Sequence, residues 1–168
     1  MIQHLDNLLR DLFISRIASL SNDNQVQFRP PDSDWRTEVA NLNGPALNIF
    51  LLDIRENRKL RSNARVPNGI VNGSMQRQVA PMRLDCHYLI TAWSSAQHTP
   101  AIEPALDNHE LLYEATAVLA NNTPLNPSHI YAPGSVELLD VPEIIRQADL
   151  PSQLRPPEGF TKLSDFVG

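Results

Sequence analysis

The fold is decided by the stretch Ala46-Leu47-Asn48-Ile49-Phe50-Leu51-Leu52-Asp53-Ile54, which places apolar residues on both alternating faces of a strand. Successive side chains of a strand point to opposite sides, so such a run predicts a central strand that is covered on both sides. The turn sequence Asn43-Gly44-Pro45 breaks the chain just before it. We therefore predict a sheet that is built around residues 46–54.

A strongly basic segment follows this strand directly. Residues 55–83 contain seven basic residues and one acid, a net charge of +6, whereas the rest of the 168-residue chain sums to −11 and the total is −5. The segment has few large apolar side chains and includes the turn sequences Pro67-Asn68-Gly69 and Asn72-Gly73-Ser74. We predict a long basic loop at about 55–80, which could include a loose hairpin.

Periodic patterns predict the other elements. Apolar residues spaced by three and four indicate an amphipathic helix from Ile2 to Leu20. Alternation indicates a short strand at Val26–Phe28 and a half-buried strand at Met82–Trp93, with Met82, Leu84, Cys86, Tyr88, Ile90 and Ala92 facing the core. The segment from Trp35 to Ala40 is ambiguous between helix and strand.

The second half of the chain predicts one helix and smaller strands. Asp107 with Glu110 resembles a capping box, so a helix is expected from Asp107 to about Leu119. Short apolar pieces at 136–139 and 143–145 are expected to be small strands. We predict one α+β domain over residues 1–168, a mixed β-sheet flanked by helices.

Composition limits the classes of function. A sequence pI near 5.4 argues against a surface built throughout to bind nucleic acid. The single cysteine, Cys86, cannot form an internal disulfide, which favours an intracellular origin. Asp6 and Asp11 interrupt the apolar start, so no signal peptide is expected, and no apolar run is long enough for a membrane span.

Residues for catalysis or metal binding are not expected. The five histidines, His4, His87, His98, His109 and His129, lack zinc-site spacing. Cys86 lies in an alternating strand and is expected to point into the core as a small hydrophobe. Asp53 beside Arg55 is interpreted as an ion pair. We predict no catalytic residue, no cofactor and no metal.

Three interpretations of the basic segment remain: a solvated loop, a protein-contact surface, or a nucleic-acid contact. Residues 55–83 include no aromatic side chain on which bases could stack. This favours contact with an acidic protein partner. Trp35 and Trp93 could be interface anchors or core residues.

Several stretches together resemble one protein family. They are Met1 to Phe13, Pro45 to Ile54 with Glu56-Asn57-Arg58 and Arg61-Ser62-Asn63, Leu84 to Trp93 (LDCHYLITAW), and Asn108 to Leu112. In this order and spacing they resemble the N-terminal domain of the tail-terminator or cap proteins of extracellular contractile injection systems, the phage-tail-like particles of the antifeeding-prophage and virulence-cassette type.

The resemblance implies a phage tail-terminator-like fold and a non-enzymatic structural role. Such a protein would cap the inner tube and sheath at the end distal to the baseplate, as a homohexameric ring. It would assemble in the bacterial cytoplasm and then form part of the injection particle, with no membrane partner. A heterologous interface closes such a ring. The basic loop would face an acidic rim of tube or sheath, with Arg55, Arg58, Lys59, Arg61 and Arg65 as contact residues.

A different class of function remains open from the residues themselves. The strands could form a small binding module whose basic segment, residues 55–83, holds an anionic ligand or nucleic acid. Phosphate recognition loses affinity steeply as the salt concentration rises, so a salt titration of DNA binding distinguishes this binding module from the structural cap.

Overall fold

The computed structural model describes residues 2–42, 44–59, 65–71, 74–79, 82–96 and 103–154. Within these ranges the strands are β1 (Val26–Gln27), β2 (Ala46–Glu56), β3 (Arg65–Val71), β4 (Ser74–Val79) and β5 (Leu84–Trp93). The helices are α1 (Ile2–Arg16), α2 (Ser33–Val39), α3 (Pro104–Asn121), α4 (Pro127–Ile130), α5 (Val136–Asp140) and α6 (Glu143–Arg146), and a 3-10 turn covers Asp23–Gln25.

The main sheet is mixed and has β2 at its centre. Its order is β1-β2-β5, with β1 parallel and β5 antiparallel to β2. Helices α1 and α3 pack on this sheet through a shared apolar core. The predicted α+β class, a mixed sheet flanked by helices, is confirmed.

The core lies between this sheet and helices α1 and α3. Its buried members include Leu8, Leu12 and Phe13 of α1, Leu47 and Ile49 of β2, and Leu111, Ala115 and Leu119 of α3. Full burial of one such large side chain contributes about 1.5–3 kcal/mol to stability relative to leaving it exposed. On β5, Tyr88, Ile90 and Ala92 pack against it, as the alternation predicts.

Two tyrosines fix helix α1 in place. The hydroxyl of Tyr88 on β5 donates to Asp6 Oδ1 at 2.6 Å, and the hydroxyl of Tyr131, just after α4, donates to Asp11 Oδ2 at 2.7 Å. Burial, followed by the hydrogen bond to the carboxylate, raises the pKa of both phenols well above the ordinary value. Helix α1 is therefore tied to the sheet on one side and to α4 on the other.

The ambiguous segment from Trp35 to Ala40 is helical. Asp32 Oδ1 accepts a hydrogen bond from Trp35 N at 3.0 Å and so caps α2. Trp35 packs with Val39 and Ala46 in a second buried cluster and is 1% exposed. Trp35 is therefore a core residue in this structure, while Trp93 is half-buried beside it.

The turn before β2 requires its glycine. Gly44 has φ +143°, and a Cβ atom at this position would lie 3.0 Å from Gln25 Nε2. The side chain of Gln25 is buried, and its Nε2 donates to the carbonyl oxygens of Pro45 at 2.8 Å and Ser19 at 3.1 Å. The close packing of this amide fixes the entry of the chain into β2.

Several predicted elements are wrong in type or length. Residues 136–139 and 143–145 lie in helices α5 and α6, not in small strands. Ser135 accepts from Leu138 N at 3.2 Å and caps α5, a local signal that outweighs the short apolar run. Helix α1 ends at Arg16 rather than Leu20.

Helix α3 begins at Pro104, three residues before the predicted cap. Proline is tolerated in the first helical turn because that position needs no backbone N–H partner. The carboxylate of Asp107 accepts instead from Ser94 Oγ at 3.1 Å. This bond joins the first turn of α3 to the residue that follows β5.

The predicted long loop contains regular structure. Residues 55 and 56 still belong to β2, while β3 and β4 pair with each other as an antiparallel hairpin. Strand β5 starts at Leu84, and Met82 precedes it as an exposed residue. The boundary between strand and loop therefore lies after Glu56, further along the chain than Ile54.

Candidate functional site

The distal half of the β2–β5 ladder extends beyond the helices that cover its proximal half. Strand β2 has 11 residues and spans about 36 Å, whereas α1 has 15 residues and spans about 22 Å. Residues 46–49 are buried, but Leu52 and Ile54 are each 42% exposed. We call residues 52–59 and 82–87 the arm.

Helix α1 has a defined orientation relative to the arm. Its Asp6 lies beside Tyr88 of β5, and further along the helix Arg10 Nε donates to the carbonyl oxygen of Val26 at 3.4 Å. Tyr88 pairs with Leu51, and Val26 pairs with Leu47. Helix α1 is therefore antiparallel to β2, with its amino-terminal end nearest the arm.

A β-bulge separates the arm from the covered part of the sheet. Consecutive pairs of the ladder are Leu51 with Tyr88 and Asp53 with His87, so Leu52 is an extra residue on β2. Such a bulge bends the strand and increases its right-handed twist. It lies where the covering helices end, so the arm leaves the body at a changed angle.

The arm has exposed apolar side chains in addition to charged ones. Ile54 pairs with Cys86, and Glu56 pairs with Leu84, so these four share one face. Ile54 and Leu84 are exposed. Leu84 and Met82 were predicted to face the core, and this is wrong because no described helix reaches so far along the strand.

The other face of the arm is charged. Arg55 donates through Nε to Asp53 Oδ2, and this bond lowers the pKa of the Asp53 carboxyl below its ordinary value. Arg55 is also the cross-strand neighbour of Asp85, which accepts from Asn57 Nδ2 at 3.0 Å. The predicted ion pair between Asp53 and Arg55 is therefore present.

The structure places three of the five predicted contact residues together. Arg55 ends the charged face of β2, and Arg58 and Lys59 lie in the turn just after it, all three exposed. Arg61 lies outside the described residues. Arg65 begins β3, and its side chain is outside what the structure describes.

Sequence reasoning missed part of this surface. Arg83 is exposed beside the end of β2, where its carbonyl oxygen accepts from Asn57 N at 2.9 Å. The continuous apolar run predicts that Leu52 and Ile54 are buried, whereas both are exposed in the structure. Length gave no signal in the sequence, because the predicted helix over residues 2–20 and the predicted strand over residues 46–54 span nearly the same distance, about 28 Å and about 30 Å.

Cys86 behaves as a half-buried small side chain. Burial, and then the nearby carboxylates of Asp6 and Asp85, raise the pKa of its thiol above the ordinary value. The thiolate that a nucleophile needs is therefore disfavoured. Within the described ranges, no group of three His, Cys, Asp or Glu side chains could hold a metal ion.

Two clefts lie away from the arm tip. One, of about 380 Å³, lies between α2, the end of β5 and the start of α3, with Val39, Trp93, Pro104 and Asn108 in its wall. The other, of about 330 Å³, lies between α1 and α5 and includes His4, whose Nδ1 is 3.8 Å from Asp140 Oδ2.

None of the helices in the described part of the chain has the length and apolarity to cross a membrane.

Comparisons with known proteins agree with this fold. A family model described as the Pvc16 N-terminal domain matches residues 3–157. The chain is also similar to a solved cryo-EM structure described as the PVC sheath/tube terminator, in its extended state, of an extracellular contractile injection system. That likeness has a TM-score of 0.57 and 19% identity and covers 99% of this chain and 48% of that chain. No curated protein matches.

At 19% identity the structural likeness shows the fold, which is that of a sheath/tube terminator over about half of that chain's length. The phage tail-terminator-like architecture expected from the sequence is therefore confirmed.

Proposed function

Because this chain belongs to the family of the Pvc16 N-terminal domain, we propose that it is a structural part of a contractile injection particle that ends the inner tube and the sheath. The family match over residues 3–157 is the observation on which the proposal rests. The fold shared with a sheath/tube terminator supports it. The role is one of assembly and not of catalysis.

In this proposal the protein forms a closed homohexameric ring at the end distal to the baseplate. A head-to-tail interface repeated around a ring leaves no open end, so the ring is finite. Seated on the last ring of tube and sheath, it covers the surface to which the next subunit would add. Tube length is then fixed. We place assembly in the bacterial cytoplasm, after which the protein remains in the particle.

The arm is the proposed contact surface within this assembly. Its exposed apolar side chains supply area that becomes buried on contact, and its cations favour an acidic neighbour. The proposed contact residues are Arg55, Arg58, Lys59, Arg61 and Arg65. Arg58 and Lys59 form no ion pair with another residue in the described part of the chain. Contact with a partner would therefore not require an ion pair between described residues to break at these two side chains.

Particle length tests the function. Particles purified from producing cells with and without this chain are compared by electron microscopy. With the chain we expect tubes of one length closed by a disc at one end, and without it a broad distribution of lengths. An unchanged distribution in its absence would refute the terminator role.

Charge reversal tests the proposed contact residues. We expect Arg58→Glu with Arg61→Glu to weaken binding to assembled tubes, measured by co-sedimentation, while the melting temperature stays nearly the same. The matched control is Arg16→Glu with Arg36→Glu, which reverses two exposed cations outside the arm. Equal loss of binding in the control would show that only net charge matters, and loss of folding in the variant with Arg58→Glu and Arg61→Glu would show a structural role.

A further inference from the structure

We propose that the acidic neighbour of the arm is a second copy of this chain, which receives the arm on the outer face of helix α3. This inference rests on the proposed ring and names the contact that would close it. It commits the arm to a copy of the same chain, in preference to the tube or sheath protein, so the loss of tube binding expected for Arg58→Glu with Arg61→Glu then follows from loss of the ring.

The outer face of α3 has the features of a partner surface. Glu103, Leu106, Glu110 and Tyr113 follow one another at intervals of three or four residues, so they form one stripe along the helix. All four are exposed, Leu106 at 62% and Tyr113 at 75%. We call these four residues the α3 stripe. Large apolar side chains so exposed are typical of a surface that a partner covers.

The charge of this region is complementary to that of the arm. Residues 84–145 contain no Lys or Arg, and residues 103–114 contain the four acids Glu103, Asp107, Glu110 and Glu114. The arm offers Arg58, Lys59 and Arg83, with Ile54 and Leu84 as exposed apolar neighbours. The tip of the arm, residues 57–59 with Arg83, carries three cations and no acid, whereas residues 103–114 carry four acids and no Lys or Arg, so the charges of these two parts are opposite.

The tip of the arm and the start of the α3 stripe lie at opposite ends of strand β5. The arm is at the amino-terminal end of β5, at Leu84, while the bond between Ser94 and Asp107 holds the first turn of α3 at the other end. The 10 residues of β5 span about 33 Å. An arm therefore cannot fold back onto its own stripe, but it can reach the stripe of the next copy. Repetition gives a heterologous, head-to-tail interface.

A second acidic surface fits this geometry less well. Helices α5 and α6 expose Val136, Leu139 and Ile144 beside Glu137 and Glu143. The contact between His4 and Asp140 places the last residue of α5 beside the amino-terminal end of α1, which is the end nearest the arm. This end of α5 lies closer to the arm than the first turn of α3 does, and the surface serves as the control.

A charge exchange between two variants tests the inference. Sedimentation velocity of the isolated chain, from about 1 µM to about 0.5 mM, measures self-association. We expect the arm variant (Arg58→Glu, Lys59→Glu) and the stripe variant (Glu103→Lys, Glu110→Lys) each to raise the apparent Kd at least about tenfold. Mixed in equal amounts they should associate within about threefold of the native chain, because each reversed surface then meets a reversed partner.

The control and the contrary outcomes are specific. The variant Glu137→Lys with Glu143→Lys changes the net charge by the same amount as the stripe variant and should leave self-association unchanged. Circular dichroism and melting temperature check that all variants fold. Failure of the mixture to restore association, or an unaffected stripe variant, would overturn the inference.

A native chain that stays monomeric at about 0.5 mM would also overturn it. The terminator role would then still be decided by particle length, so failure of the two proposals can be told apart. In that case co-sedimentation with assembled tubes would decide whether the arm binds the tube protein instead.

Discussion

Truncation of two isoleucines of the same strand should have very different effects on stability. Ile49 is buried in the core on β2, whereas Ile54 lies five residues further along, in the arm, and is 42% exposed. We expect Ile49→Ala to lower the free energy of unfolding by about 3 kcal/mol, because it removes buried methyl groups and leaves a cavity. The intrinsic loss of β-propensity is common to both substitutions, so the difference reports packing.

The expected cost of Ile54→Ala is about 1 kcal/mol or less, since much of this side chain stays in water. For a chain of 168 residues, 1 kcal/mol corresponds to about 2–4 °C in melting temperature. Thermal unfolding followed by circular dichroism should therefore show a fall of about 6–12 °C for Ile49→Ala and at most about 4 °C for Ile54→Ala.

The pair Leu47→Ala and Leu84→Ala repeats the comparison with leucine, one residue buried and the other exposed. If Ile54→Ala were as destabilising as Ile49→Ala, the arm would be packed against its own chain. That result would refute the description of the arm as a projecting surface and, with it, the contact proposals.

Other expected results follow from the buried groups. Because the pKa values of Tyr88 and Tyr131 are raised, their contribution to stability is complete below the ordinary tyrosine pKa of 10.0 and is lost progressively as pH rises above it. Urea unfolding should show this decline above about pH 10, less steeply when either residue is changed to Phe. The thiol of Cys86 should react with iodoacetamide more slowly than free cysteine at pH 8, and unfolding in urea should remove the difference. Gly44→Ala should cost about 1–3 kcal/mol because of its positive φ and the close glutamine amide. Gly134→Ala should cost less in the same urea titration, because its Cβ would meet no atom within 4 Å.

The sequence was sufficient for the fold class because local pattern and global packing agree in its first half. The apolar spacing of α1 and the alternation around Tyr88 reflect burial directly. The carboxyl-terminal part was mispredicted because α5 and α6 are one-turn helices of five and four residues, too short for any periodicity to appear. Helix α5 begins where the side chain of Ser135 caps it, and this local signal does not depend on periodicity.

The charged part of the candidate site could be predicted, but its shape could not. The run of cations after β2 is visible in the sequence, and so is the Asp53–Arg55 pair. The exposure of Ile54 depends on where helix α1 stops over the sheet, a tertiary relation that apolar content alone does not encode. The α3 stripe was missed because the helix was predicted to begin at Asp107, which left Glu103 and Leu106 outside it.

Leu52 stands between two consecutive rungs of the ladder, Leu51–Tyr88 and Asp53–His87. Its deletion would therefore bring those rungs together without moving any later side chain to the other face. The deletion would reduce the local right-handed twist of the β2–β5 ladder, which the extra residue increases. Leu52 thus sets the angle at which the arm leaves the body of the protein. Deletion of this one residue would change that angle while the side chains on each face of the arm stay the same.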